Sequence, residues 1–193
     1  AAKMMGRWPS GAPLTKYPDQ DPGTINDDNN FGYAKNDEEG LKCPFGSHIR
    51  RTNPRDSFED NKIKLSLSLS NKHRIIRRAR LYGDPFEGSP LHRTPKGEVG
   101  LLFSCFNADI SRQFEFLQYT WINNPKVSKL YNDTDPIMGV SAEKLRSGLE
   151  QNFTIQELPV SRTVKKLESF VTVKGGGYFF LPSISAVRYL STL

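Results

Sequence analysis

The sequence predicts an α+β fold of the ferredoxin-like type, an antiparallel sheet with helices on one face. Strand patterns recur at residues 73–83, 99–106, 170–173 and 178–181. One helix pattern follows the second strand, and another follows the fourth. The order strand, strand, helix, strand, strand, helix, in a sheet whose strands are antiparallel, is typical of this architecture.

The first part of the chain has little regular pattern. Residues 1–8 predict the end of a helix, and residues 9–47 predict a long loop because prolines, glycines and polar residues dominate them. A loop of this length usually wraps another surface or carries function. Ser47 and Asn53 are candidate caps for short helical turns on either side of His48.

Two strand patterns follow an expected insertion. In residues 56–70 leucines alternate with serines, a period of two that favours a surface hairpin. His73–Gly83 predicts a strand that ends at a Gly-Asp-Pro turn. Val99–Phe106 is the most apolar run of the chain and predicts a central strand.

A predicted amphipathic helix begins at Asp109 and ends at Asn123–Pro125. Its apolar residues fall at i, i+4, i+7 and i+11, which places them on one buried stripe. These residues are Ile110, Phe114, Leu117 and Trp121. Residues 126–166 predict mainly loop, with a short helix at Ser141–Leu149.

The last part of the chain predicts a hairpin and a helix. Phe170–Val173 and Tyr178–Leu181 predict strands on either side of Gly175–Gly177. A tight turn is favoured there over a phosphate-binding loop, because the lysine and hydroxyl residue of a P-loop are missing. Ser183 is expected to cap the final helix. The residues expected to face inward on that helix are Ile184, Val187 and Leu190.

Composition and charge exclude several classes of protein. A chain of 193 residues is long enough for one domain with a real core. No apolar run approaches the roughly 20 residues that a membrane-spanning helix needs. Two cysteines make no disulfide framework, and three histidines supply no zinc site at conventional spacing. The net charge of +6 mildly favours anionic partners. Nucleic-acid binding is not expected, because the basic strand Arg74–Arg80 lacks stacking aromatics.

The candidate functional stretch is Cys-Pro-Phe-Gly-Ser-His-Ile-Arg-Arg-Thr-Asn-Pro-Arg at residues 43–55. His48 could bind a metal through one ring nitrogen if another group holds the second. The arginines that follow it are suited to pair with carboxylates. Haem, with an iron and two propionates, would use both features. The same pattern also fits a short helix with a solvated basic face, so the residues alone leave both interpretations open.

Four segments resemble the dye-decolorising (DyP-type) peroxidases, in that family's order. The first is Gly-Arg-Trp-Pro-Ser-Gly-Ala-Pro-Leu at 6–14, and the second is the stretch 43–55, which resembles the proximal haem-ligand segment. The third is Leu-Leu-Phe-Ser-Cys-Phe-Asn-Ala-Asp at 101–109, continuing to Gln118. The fourth is Phe-Val-Thr-Val-Lys-Gly-Gly-Gly-Tyr-Phe-Phe-Leu-Pro-Ser at 170–183. The resemblance implies the C-terminal half of a two-domain, dimeric-α/β-barrel-type peroxidase.

The resemblance implies heme b (iron protoporphyrin IX) as the cofactor, with His48 as the proximal iron ligand. The carboxylate that holds the other ring nitrogen should be Asp135, which precedes Pro-Ile-Met-Gly, with Asp133 as the second choice. Either aspartate could instead cap a turn. Arg50 and Arg51 could equally be surface charge.

The resemblance also implies which residues would surround the haem. Arg77 matches the distal arginine, with Arg78 as the alternative because neighbouring strand residues face opposite sides. A solvated basic edge strand is the other interpretation of that pair. Arg55 matches an arginine that pairs with a propionate. Leu101 and Phe103 match residues that roof the distal pocket, and ordinary core packing is equally compatible.

The implied function is a peroxidase that uses hydrogen peroxide to oxidise dyes, phenols or similar organic reductants. The family's distal aspartate lies in a Gly-Phe-x-Asp-Gly segment that this sequence lacks, so we expect it in an upstream N-terminal half of the same enzyme. Residues 1–40 are then an extended segment that wraps the upstream domain, and residues 41–193 are the haem-binding domain. The alternative is a non-catalytic haem-binding or assembly fragment. A cytoplasmic location is favoured, with any targeting signal upstream, and the oligomeric state is left open.

Overall fold

The computed structural model describes residues 1–23, 29–58, 62–83, 97–140 and 151–193, and their fold is α+β, as the sequence predicts. The α-helices are α1 (Ala2–Met5), α2 (His48–Thr52), α3 (Ile63–Lys72) and α4 (Ile184–Leu190). The strands are β1 (Ile76–Arg77), β2 (Arg80–Tyr82), β3 (Gly100–Leu102), β4 (Cys105–Phe106), β5 (Phe153–Ile155) and β6 (Arg162–Val164). Within these ranges, no helix is long and apolar enough to cross a membrane.

The strands form three small antiparallel sheets, each of two strands: β1 with β4, β2 with β3, and β5 with β6. The first two sheets confirm the strands predicted around residues 76–82 and 100–106. The expectation of a central strand is wrong, because β3 and β4 each pair with one strand only among the described residues, and Leu102 is 66% exposed. In a two-stranded ribbon each strand has only one neighbour, so an apolar strand stays open to solvent unless another element covers it.

Residues 56–70 do not form the predicted hairpin, because helix α3 begins at Ile63. Its buried side chains are Ser66 and Ser70, four residues apart on one face. The Ser70 hydroxyl donates to the Arg55 carbonyl at 2.8 Å. The small serines let the helix lie close to its neighbours. Burial on this helix therefore follows the spacing of the serines and not the alternation of the leucines.

Sheet β5–β6 lies in the region that was expected to be mainly loop. Phe153 and Ile155 alternate inward on β5, which is the burial pattern of a strand with one covered face. The strands predicted at 170–173 and 178–181 are wrong, since these residues adopt no regular secondary structure. The helix predicted at Ser141–Leu149 lies outside the described residues.

The helix predicted to begin at Asp109 is present as two π-helical segments, π1 (Ser111–Glu115) and π2 (Leu117–Ile122). Hydrogen bonds from residue i to i−5, such as Glu115 N to Ile110 O at 3.0 Å, widen its turns. The wider turn changes which side chains share a face. Leu117, Trp121 and Ile122 are buried, whereas Ile110 and Phe114 are only half-buried.

Helix α4 begins as the sequence predicts, because the Ser183 hydroxyl accepts a hydrogen bond from Ala186 N at 3.2 Å. The prediction that its apolar side chains face inward is wrong. They are 52–74% exposed: Ile184, Val187 and Leu190.

The buried core lies beneath helix α2. Leu14, Phe31, Tyr33 and Cys43 form a cluster of buried residues, and Ile49 of α2 packs on it. Gly6 approaches this cluster so closely that a Cβ there would lie 2.5 Å from Ile49 Cγ1. The cluster therefore draws residues from both sides of position 40, and the division of the chain at that position stays a prediction.

Candidate functional site

His48 is the first residue of α2, and the preceding turn is anchored to the first helix of the chain. The Ser47 hydroxyl donates to the Lys3 carbonyl rather than capping α2. The Lys3 ammonium in turn donates to the carbonyls of Leu41 and Lys42, both at 2.8 Å. These bonds fix the backbone that leads into His48.

The His48 ring contacts one buried carboxylate. His48 Nδ1 lies 2.9 Å from Oδ2 and 3.1 Å from Oδ1 of Asp135. Asp135 is fully buried, while the His48 side chain is 19% exposed. Because an ionised carboxylate only accepts hydrogen bonds, Nδ1 carries a proton, and in the neutral imidazole Nε2 then keeps its lone pair. The geometry therefore leaves Nε2 as the ring nitrogen that can bind a metal.

The loop around Asp135 holds its carboxylate in the charged form. Asp135 Oδ1 accepts hydrogen bonds from the N–H groups of Ile137 and Met138, each at 2.9 Å. Burial by itself raises the pKa of Asp135, but His48 and these two N–H groups outweigh it and lower the pKa below its usual value. The carboxylate that faces His48 is thus ionised at neutral pH.

Asp133, the second choice for this partnership, faces another element. Its carboxylate accepts hydrogen bonds from the N–H of Thr154 at 2.6 Å and from the Thr154 hydroxyl at 3.2 Å. Asp133 therefore ties its loop to strand β5, and the contact with His48 is made by Asp135.

Two arginines that follow His48 are buried, which corrects the alternative that they are surface charge. Arg50 donates to the Asp37 carboxylate at 2.9 Å and to the Cys43 carbonyl at 2.7 Å. Its guanidinium lies 4.4 Å and 4.6 Å from the ring centroids of Tyr33 and Phe45. Arg51 is 1% exposed and donates only to backbone carbonyls.

Arg55 faces the long N-terminal loop. It is half-buried, with its guanidinium 3.7 Å from the centroid of the Phe31 ring. It donates to the carbonyls of Asn29 and Phe31 at 2.9 and 3.0 Å. Burial lowers its pKa from the usual arginine value. It is a cation on the C-terminal side of α2.

The residues expected to surround the distal side of the haem lie on strands β1 and β3 or directly after them, and these strands are exposed. Arg77 is exposed on β1, and Arg78 donates to the Arg77 carbonyl at 2.9 Å. Leu101 on β3 is 54% exposed. Phe103 is 45% exposed and its ring centroid lies 6.3 Å from that of Phe114. These side chains face solvent and none of them is packed as ordinary core.

The His48 environment fits the haem that the resemblance implies. A neutral imidazole whose Nδ1–H is held by a carboxylate, with Nε2 left to bind, has the tautomer and the hydrogen-bonded partner that an iron ligand needs. The His48 side chain is 19% exposed, whereas Asp135 behind it is fully buried. Sequence reasoning did not foresee the role of Arg51 in this region, although its position three residues after His48 places both on one helix face.

Comparisons with known proteins agree on one family. The family model for the C-terminal part of Dyp-type peroxidases matches residues 7–139. The multifunctional dye peroxidase DyP2 of Amycolatopsis sp. is 35% identical over 98% of this chain, and a dye-decolorizing peroxidase of Mycena epipterygia is 34% identical over 98%. The chain spans only 40% of the length of each of these relatives.

Solved structures give the same result. A dye-decolorizing peroxidase variant in complex with cyanide has a TM-score of 0.76 at 31% identity, covering 97% of this chain and 41% of that one. A DyP-type peroxidase of Anabaena sp. has a TM-score of 0.68 at 30% identity, covering 86% and 34%. Since the family model matches well over half of the residues, the chain belongs to the DyP-type peroxidase family, whose members are haem enzymes.

Proposed function

We propose that this chain is the haem-ligand half of a peroxidase that reduces hydrogen peroxide and oxidises dyes, phenols or similar organic donors. His48 is the proximal iron ligand and heme b is the cofactor. The observation that carries the proposal is the 2.9 Å contact between His48 Nδ1 and Asp135, which in the neutral imidazole places the proton on Nδ1 and leaves Nε2 to bind iron. Membership of the DyP-type peroxidase family supports it.

Different residues of the chain would lie on the two sides of the cofactor. On the His48 side, Asp135 holds the proton on Nδ1 and orients the ring. Arg55 would pair with a propionate, since it is a half-buried cation a few residues after α2. On the other side, Arg77 would be the distal arginine, with Leu101 and Phe103 as apolar residues beside it.

The bound cofactor and the side chains of the protein would make different contributions to the reaction. Haem, when bound, supplies the centre at which peroxide is reduced and a donor is oxidised. Arg77 contributes a fixed positive charge where negative charge develops as the peroxide O–O bond breaks. Asp135 keeps its negative charge beside Nδ1 and so makes His48 a stronger electron donor through Nε2. Moving the proton between the peroxide oxygens is left to the aspartate expected upstream.

The upstream half of the enzyme is the proposed partner of the exposed apolar faces. Phe179 and Phe180 are 90% and 88% exposed, and Leu81 on β2 is 79% exposed. Apolar surface of this kind is normally covered. The relatives, of which the chain spans 40%, are long enough to supply a covering domain.

The test is haem uptake by the wild type and by His48→Ala, followed by absorption near the Soret band. We expect a Soret band in the wild type and its loss in the variant. His73→Ala is the matched control, because His73 packs on Phe116 with its Nδ1 donating to the Arg112 carbonyl. Equal haem binding by His48→Ala and the wild type would refute the assignment.

A non-catalytic haem-binding fragment is the second candidate, and the exposure of Arg77 and Leu101 favours it for the chain by itself. Peroxidase turnover distinguishes the two. We expect little turnover by the 193-residue chain and a large increase when the upstream half is joined to it. Haem uptake without turnover in the longer protein would favour the fragment instead.

A further inference from the structure

Arg51 connects the helix that carries His48 to the loop that carries Asp135. Its guanidinium donates to the carbonyl of Asp133 at 2.6 Å, to that of Trp121 at 3.0 Å, and to that of Asn124 at 3.0 and 3.2 Å. One planar guanidinium thus binds three carbonyl oxygens on two separate segments of the chain. A guanidinium suits this task because its N–H groups form a rigid fork.

The arrangement holds the Asp135 loop to α2 at two points. His48 and Arg51 are three residues apart, so they project from one side of the helix. His48 bonds the side chain of Asp135, while Arg51 bonds the backbone of Asp133, two residues earlier. If His48 were the only contact with α2, the loop could pivot about that point, and the second contact two residues away restricts this motion.

The loop is also tied to the segment that Arg51 binds. Asp135 N donates to the Ile122 carbonyl at 2.9 Å, next to the Trp121 carbonyl that accepts from Arg51. A displaced Arg51 would therefore disturb both the end of π2 and the loop. The position of the Asp135 carboxylate depends on both.

Arg51 also places a buried positive charge near the pair. Burial lowers its pKa to about 10, and the charges of Asp135 and Asp133 act in the opposite direction. Arg51 is thus protonated at neutral pH, and its attraction for the two carboxylates is mutual. A buried cation that bonds only carbonyls needs nearby carboxylates to offset its desolvation.

We propose that Arg51 is a positioning residue for the His48–Asp135 pair: by holding the Asp133 carbonyl and the end of π2 it fixes Asp135 on His48 Nδ1. The proposal concerns this chain with or without cofactor. Only its consequence for the iron rests on the proposed function.

The first test reads the ring nitrogens of His48 directly, by ¹⁵N NMR of the imidazoles in the cofactor-free protein near pH 9, about 2.5 units above the usual histidine pKa. The wild type should show Nδ1 protonated and Nε2 unprotonated, a signal assigned by its loss in His48→Ala. Arg51→Met should replace it with a mixture of the two tautomers, and Arg51→Lys should give a smaller shift in the same direction. The Nδ1–H of His73, which donates to the Arg112 carbonyl, is an internal reference that should not change.

Arg50→Lys is the matched control. Arg50 is 2% exposed on the same helix but bonds Asp37 and Cys43 instead of the Asp135 loop. It should lower stability yet leave the His48 signal as in the wild type. A wild-type His48 signal in folded Arg51→Met, or in Arg51→Lys should the methionine variant not fold, overturns the proposal. So does the same tautomer mixture in Arg50→Lys.

The second test uses the haem-loaded protein with its upstream half. A less firmly held Asp135 should make His48 a weaker donor, so the iron reduction potential should become more positive in the Arg51 variants and stay unchanged in Arg50→Lys. An unchanged potential in the Arg51 variants counts against the proposal. If His48→Ala retains haem as well as the wild type does, the proposed function fails, and the NMR result alone decides the role of Arg51.

Discussion

Asp135 Oδ2 lies 2.9 Å from His48 Nδ1 although the two residues are 87 positions apart in the sequence. The contact joins the first residue of α2 to a loop that follows π2. The loop gives the carboxylate two further N–H donors, from Ile137 and Met138. A neutral histidine held this way has one fixed tautomer, so the ring nitrogen that is free to bind a metal is defined.

Removing the charge of Asp135 should weaken haem binding. Asp135→Asn keeps the shape of the side chain but loses the negative charge beside Nδ1, and we expect affinity to fall by about 10–100-fold. Titration of the apoprotein with haem measures this. Asp133→Asn is the control, since it removes the same charge from the same loop but at a carboxylate that bonds Thr154. Equal losses in the two variants would mean that loop charge, not the contact with His48, determines affinity.

Removing one partner of the buried ion pair between Arg50 and Asp37 should cost far more stability than removing one partner of an exposed pair. Arg50→Met leaves the Asp37 carboxylate buried without its cation, and we expect a loss of about 3–5 kcal/mol in the free energy of unfolding. Arg162→Met breaks the pair with Glu157, which has the same 2.9 Å separation but is 64% and 44% exposed. Its cost should be below about 1 kcal/mol. Denaturant unfolding of both variants makes the comparison, and similar losses would contradict it.

Alanine substitutions at Gly6 and Gly11 should distinguish the cost of backbone strain from the cost of a steric clash. Both have a positive φ, 90° and 91°, so alanine at either position should cost about 1–2 kcal/mol of strain. A Cβ at Gly6 would also meet Ile49 and Cys43, whereas one at Gly11 meets nothing within 4 Å. We therefore expect Gly6→Ala to lose about 1–3 kcal/mol more than Gly11→Ala in denaturant unfolding. Equal losses would show that the core beneath α2 can move aside.

The thiol of Cys43 should make stability depend on pH in the alkaline range. Burial raises its pKa to about 11 from 9.0, although a hydrogen bond with Ser47 opposes the change. The folded state thus favours the neutral thiol. The stability this contributes is complete below about pH 9 and is lost as the pH rises toward 11.

Unfolding of the wild type and Cys43→Ala at about pH 8 and about pH 10.5 should reveal this loss, which the alanine variant lacks. The half-exposed Cys105 provides a second readout. It should react with a thiol reagent in the folded chain, while Cys43 should react only after unfolding. Rapid labelling of both thiols in the folded state would contradict the burial of Cys43.

The sequence predicted the elements whose signals are local. The Ser183 cap depends on one side chain and the next turn, and the ribbons around residues 76–82 and 100–106 follow from apolar runs with turn residues between them. Helix α3 was missed because its buried face consists of serines, which a hydrophobic pattern does not detect. The strands expected at 170–173 and 178–181 have strand composition, yet a strand needs a neighbour, and a single sequence does not show which partner is present.

Part of the candidate site was accessible from the resemblance and part was not. The resemblance placed Asp135 ahead of Asp133, and the contact with His48 is made by Asp135. The spacing in residues 43–55 places Arg51 on the helix face of His48 but does not show that it is buried, because its acceptors are backbone carbonyls 70 to 82 positions away. The iron-binding role of His48 stays a proposal.

The hydrogen bonds of Lys3 have a practical consequence for cutting the protein into pieces. The Ser47 hydroxyl donates to the Lys3 carbonyl, 44 positions earlier in the sequence. The Lys3 ammonium donates to the carbonyls of Leu41 and Lys42. A protease that nicks the chain just after this first helix, or a gene truncated there, would release three bonds from the peptide that enters α2. Any shortened version intended to retain a rigid His48 should therefore begin ahead of Lys3.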